Sequence, residues 1–112
     1  MDQLDLTRMR QSADRAVELM KVLGNPERMM LVCQIAQGER NVGELESELG
    51  IRQPTLSQQL AVLRRADVVE TRREGKQIYY RVSSPEALRV IETLYALYCL
   101  PDGAACEPKV EA

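Results

Sequence analysis

A helix-compatible run, VGELESEL, opens beside Asn41 and closes at Gly50, and four residues later Pro54 opens a second run, PTLSQQLAVLRR. Asn41 stands three residues before Glu44, the spacing of a capping box. The second run sets Leu56, Leu60 and Leu63 on one face and leaves Gln53, Thr55, Ser57, Gln58 and Arg65 largely off it. Two short amphipathic helices joined by GIRQ form a helix-turn-helix pattern. This join constrains the fold more than any other stretch of the chain.

The flanking sequence completes the frame. Residues 7–23 place Met9, Ala13, Ala16, Val17, Met20 and Leu23 at helical spacing, and Gly24 stops the run. Asn25 caps a second helix, about 26–37, with Pro26 at the first position, where its missing N–H costs nothing. That helix reads as apolar nearly all round and belongs in the middle of a domain. After the helix-turn-helix, VVETRR and QIYYRV flank EGK and predict a β-hairpin. Ser84 and Pro85 start a last helix, about 85–99, with Leu88, Ile91, Leu94, Tyr95 and Tyr98 on one stripe. The expected order is α-α-α-α-β-β-α, a mainly α winged helix-turn-helix. It forms one domain over residues 1–112, with a loose tail after Pro101.

Charge locates a function within that frame. The net charge is −2, yet residues 51–83 carry seven basic side chains against three acidic, or +4, between flanks of −3 each. Such a segment can be a plain solvated face. On a recognition helix, short polar side chains opposite an apolar stripe reach base edges in the major groove. Gln53, Thr55, Ser57 and Gln58 occupy the turns that would enter it. Arg72, Arg73 and Lys76 bracket the hairpin turn, where they would meet phosphates or a minor groove. Charged hairpin tips often serve only edge protection. Following a helix-turn-helix, they read as a wing, and double-stranded DNA is the expected partner.

Other classes fare poorly. The acidic start lacks the apolar core of a signal peptide, and no apolar run reaches the length of a membrane span, so a cytoplasmic protein without membrane contact is expected. The chain has three cysteines, Cys33, Cys99 and Cys106, and no histidine. An odd number of cytosolic thiols does not suggest a disulfide framework. A thiol enzyme is disfavoured, since there is no Cys-x-x-Cys and no histidine base, and no cofactor is expected.

LGNPERMMLVCQI, VGELESELGIRQPTLSQQLAVLRRADVVETRREGKQIYYRV and the closing helix resemble the ArsR/SmtB family of bacterial dimeric repressors over roughly residues 12–100. The resemblance implies a homodimer built on the first and last helices, an inverted-repeat operator, and repression released by an inducer. It also implies places to look for metal ligands. Arsenic- and cadmium-type members carry Cys-x-Cys on the first helix of the helix-turn-helix, which here reads VGELESEL. Zinc- and nickel-type members use Asp and His on the last helix, and this chain has no histidine. Neither common metal site is present, and carboxylates alone make a poor zinc site.

What remains is Cys33 on the second helix and Cys99 at the end of the last. This pattern, with GIRQPTLSQQLAVLR and VVETRREGKQIYYR, is similar to the sulfide- and redox-responsive branch typified by BigR, SqrR and HlyU. The resemblance implies that reactive sulfur species or an oxidant link Cys33 to Cys99 and weaken DNA binding. Physical chemistry supplies competing readings. Cys33 in an apolar helix can be a small hydrophobe. Cys99 lies near a helix C-terminus, whose partial negative charge disfavours a thiolate. Cys106, beyond Pro-Asp-Gly, can be incidental, or join Cys99 in binding arsenite or another metalloid, the alternative inducer.

Overall fold

The computed structural model describes residues 5–99. Among them, helices and strands follow as α1 (Leu6–Leu23), α2 (Pro26–Ala36), β1 (Arg40–Asn41), α3 (Val42–Leu49), α4 (Gln53–Arg65), β2 (Val69–Glu74), β3 (Gln77–Val82) and α5 (Pro85–Tyr98). This is the expected winged helix-turn-helix with one added element. β1 joins the hairpin in an antiparallel sheet of order β1-β3-β2, pairing Arg40 with Tyr80 and Asn41 with Tyr79. Two residues are too few to show a strand period, so this pairing is not visible in sequence.

Local chemistry explains the element ends. The Asn25 side chain accepts from the Arg28 N–H at 3.0 Å and Ser84 Oγ from the Ala87 N–H at 3.0 Å, as helix caps do. At α3 the capping box is complete: Asn41 Oδ1 accepts from the Glu44 N–H at 2.8 Å, and Glu44 Oε1 accepts from the Asn41 N–H at 2.9 Å. Gly50 ends α3 with φ of 71°, a left-handed conformation that a Cβ would strain. The hairpin turns through Gly75 and Lys76, with φ of 62° at the glycine.

Several boundaries shift from the sequence reading. α2 stops at Ala36, with Gln37 as its cap, and α5 stops at Tyr98, with Cys99 as its cap. The first hairpin strand runs Val69–Glu74 rather than from Val68. Asp67 turns left-handed (φ 61°), so Val68 is spent ahead of the strand, its carbonyl accepting from the Ser83 N–H at 2.9 Å. The expected tail after Pro101, with Cys106, lies outside the described residues.

The core forms around α2, which packs against the other four helices and β3. Leu31, Val32 and Ile35 are buried there with Leu45 of α3 and Leu56, Leu60 and Leu63 of α4. Each fully buried leucine contributes about 1.5–3 kcal/mol, so the α4 stripe alone anchors the recognition helix firmly. α2 is not apolar-buried all round, however. Met30 is exposed and Met29 and Cys33 are half-buried, because the described residues leave one edge of the helix incompletely covered. The stripes on α1 and α5 are likewise only partly covered. α1 buries Leu23 alone and exposes Met9, Val17 and Met20, and α5 exposes Leu97 at 68% and Tyr98 at 77%.

Candidate DNA interface and thiol site

On α4, burial of Leu56, Leu60 and Leu63 turns the opposite face outward: Gln53, Ser57 and Gln58 are exposed and Thr55 half-exposed. Arg52, at the start of α4, makes no side-chain capping bond. The first backbone N–H groups of α4 and the positive end of the helix dipole therefore stand beside the polar face, an arrangement suited to a phosphate oxygen. α3 is braced behind it. Glu48 Oε1 accepts from Gln34 Nε2 at 2.8 Å and from Arg40 Nε at 2.9 Å, and these two bonds hold its carboxyl below the usual range.

The wing divides its basic residues into two groups. Arg72 is exposed but engaged by partners within the chain. Its Nη2 and Nε donate to Glu39 Oε1 at 2.7 and 3.0 Å, its Nη1 donates to Glu74 Oε1 at 2.7 Å, and its guanidinium lies 4.9 Å from the Tyr79 ring centre. Arg81 pairs with Glu70. Arg73 and Lys76 are exposed, and among the described residues Arg73 makes only a long 3.4 Å contact with the Gly75 carbonyl. The structure thus leaves Arg73 and Lys76 projecting at the tip and gives Arg72 the further role of pinning the wing to the α2–β1 connection.

Two polar residues that sequence reasoning passed over join α4 to the rest of the domain. Arg28 Nη1 donates to Gln59 Oε1 at 2.9 Å, and Gln59 Nε2 donates to Glu27 Oε1 at 3.0 Å. The available signal was position: Gln59 borders the leucine stripe, where a polar side chain becomes half-buried and needs partners.

The thiol site lies on the other side of α2. Cys33 lines a cavity of about 280 Å³ with Ala36 and Gln37, and its far wall is Leu88, Ile91, Glu92 and Tyr95 of α5. Burial pushes the Cys33 thiol up from its ordinary value. Cys99 is half-buried at the end of α5, its N–H donating to the Tyr95 carbonyl at 2.7 Å, so the turn that carries Cys99 begins at a cavity residue. Both side chains are thiols. Cys106 lies outside the described residues. Among the described residues, no group of three or more His, Cys, Asp or Glu is placed to hold a metal ion.

The model of the bacterial regulatory protein arsR family matches residues 25–71, from the cap of α2 into β2. A biofilm growth-associated repressor of Agrobacterium fabrum is 54% identical over 89% of this chain and 86% of its own. The chain belongs to the ArsR family. Its position within the family is equally plain. The transcriptional repressor BigR from Xylella fastidiosa superposes with a TM-score of 0.78 at 47% identity, over 86% of this chain and 98% of that one. HlyU of Vibrio cholerae, described as a transcriptional activator, is 41% identical over 86% of this chain and 89% of its own. Reduced HlyU superposes with a TM-score of 0.81, over 84% of this chain and 99% of that one. The chain is an ArsR-family transcriptional regulator of the BigR and HlyU branch. Regulators of this family bind DNA and are typically dimers, and no described helix of this member is long and apolar enough to cross a membrane.

Proposed function

We propose that this protein is a homodimeric repressor that binds an inverted-repeat DNA operator and releases it when reversible thiol modification links Cys33 to Cys99. Repression rather than activation is favoured because the BigR relatives, named repressors, are the more similar ones. In the DNA-bound form α4 lies in the major groove, with Gln53, Thr55, Ser57 and Gln58 toward bases and phosphates. Arg73 and Lys76 of the wing meet the flanking backbone, and Arg72 contributes as far as its ion pairs allow. The exposed apolar faces of α1 and α5 are the dimer contact, and two copies present two recognition helices to two half-sites.

The observation that supports the switch is the cavity at Cys33: its α5 wall includes Tyr95, whose carbonyl accepts from the Cys99 N–H one helical turn on. A persulfide donor RSSH transfers its outer sulfur to one thiol and leaves as RSH. The second thiolate then attacks the penultimate sulfur of that chain and expels HS⁻, which leaves a bridge of two sulfurs after one transfer, or three after two. Added sulfur atoms relax the roughly 7 Å Cα limit of a direct disulfide. The bridge ties α2 to α5, and α2 packs directly behind α3 and α4.

Mass spectrometry of tetrasulfide-treated protein tests this chemistry. A Cys33–Cys99 peptide bridged by two or more sulfurs, and lost on reduction, is the expected product. Modification confined to Cys106, or intersubunit links alone, contradicts it. An arsenite arm addresses the other inducer, a metalloid held by Cys99 and Cys106: operator release by arsenite that depends on Cys106 would put that reading first.

A further inference from the structure

We infer that Gln59, held by Arg28, is a positioning residue for DNA recognition: the pair fixes the rotation of α4 and hence the aim of Gln58. The inference rests on the DNA-binding reading of α4.

The geometry joins three helices through one side-chain amide. Arg28 Nε donates to the Val22 carbonyl at 2.6 Å and Nη2 to the Lys21 carbonyl at 3.3 Å. Both carbonyls lie in the last turn of α1, where helix carbonyls have no helical partner. With those two bonds the planar guanidinium is fixed in place, and Nη1 meets Gln59 Oε1 at 2.9 Å. The Gln59 amide then donates to Glu27 Oε1 at 3.0 Å and to Asn25 Oδ1 at 3.4 Å, both at the start of α2. Oxygen and nitrogen of one amide are therefore both engaged, and the side chain has a single orientation.

The leucine stripe cannot supply this constraint. Burial of Leu56, Leu60 and Leu63 is non-directional and tolerates a small rotation of the helix about its axis. Hydrogen bonds weaken steeply with angle and do not. Gln58 precedes Gln59 on the same helix, so the bond that fixes Gln59 also fixes the direction in which Gln58 leaves it. A bidentate glutamine–adenine contact needs that direction held closely. Phosphate contacts from a flexible arginine or lysine need it far less.

The test separates aim from stability. Gln59→Met keeps length and volume and removes both ends of the link. Arg28→Ala also strands two helix-end carbonyls and is the variant more prone to misfold. Full-length protein is titrated with a duplex that the wild type has selected from a random library, and with a scrambled duplex, over a range of salt. Gln59→Met is expected to lose about tenfold on the selected duplex, the scale of one or two side-chain hydrogen bonds. It should keep wild-type affinity for the scrambled one and an unchanged salt slope, since no phosphate contact is lost. Arg28→Lys, which keeps the charge without the fork, should show the same split. Equal losses on both duplexes, as lowered stability gives, or no loss on either, overturn the inference. A wild type that selects no sequence overturns the DNA-binding reading itself, and the inference with it.

Discussion

Cys33 is a half-buried thiol whose surroundings disfavour its charged form. Since the thiolate is the nucleophile, its reactivity at neutral pH is held down and must rise with pH beyond the ordinary thiol value of about 8.5. Alkylation of Cys33 in a Cys99→Ser, Cys106→Ser background should therefore still be accelerating at pH 9, and a rate that levels off near neutrality contradicts the burial argument. Such a thiol resists casual oxidation while remaining open to small reagents that fit its cavity. The residues proposed to face DNA divide by what each would touch. Gln58→Ala is expected to relax base preference by about 1–3 kcal/mol at one position of each half-site. Arg73→Ala should weaken binding to all sequences alike and lower the salt slope by about one unit. Filter-binding titrations on matched and mismatched duplexes distinguish the two, and the same pattern from both variants would remove the groove assignment.

At the level of elements, the wing is held by charge as well as by its strand ladder. Arg72 holds the Glu39 carboxyl below the usual carboxylate range, chiefly through their hydrogen bond. A carboxylate depressed on folding favours the folded wing above the unfolded value and loses that effect as pH falls through the folded one. The wing pin should accordingly persist down to mildly acidic pH and release only below the normal Glu range. Carboxyl chemical shifts of Glu39 across a pH titration test this, and an unshifted midpoint, or no change in Arg72→Ala, contradicts it. These elements differ in how far they could be read from sequence. The Asn25, Asn41–Glu44 and Ser84 caps, the Gly50 turn and the leucine stripe follow from neighbours within four residues, and all stand in the structure. β1, the Glu39–Arg72 pair and the Arg28–Gln59 link join residues more than thirty positions apart. Nothing in local periodicity specifies which distant polar group a side chain meets. The thiol site falls between these cases: family resemblance named Cys33 and Cys99, and the packing of α2 on α5 shows a cavity beside Cys33 that sequence alone does not reveal.

At the level of the whole molecule, two apolar stripes are left uncovered at opposite ends of the sequence. Leu97 and Tyr98 on α5 and Leu6 and Met20 on α1 are each more than 60% exposed, a large apolar display for so small a chain. Leu97→Glu places a charge in the surface that the account assigns to the dimer, and sedimentation should show a folded monomer with weakened operator binding. An intact dimer carrying that substitution would move the contact elsewhere. In the proposed dimer α5 lies at the contact between copies, and α2 packs on both α5 and the recognition helix α4, so a bond between α2 and α5 would alter the spacing of the two DNA-reading units. Operator affinity measured before and after treatment with sodium tetrasulfide, on wild type and on Cys33→Ser, tests that claim most directly. The wild type should lose affinity by about tenfold or more, within the ordinary range of coupling energies, and recover it on reduction, while Cys33→Ser holds its DNA throughout. A wild type indifferent to tetrasulfide, or a Cys33→Ser variant that releases DNA as the wild type does, would contradict it.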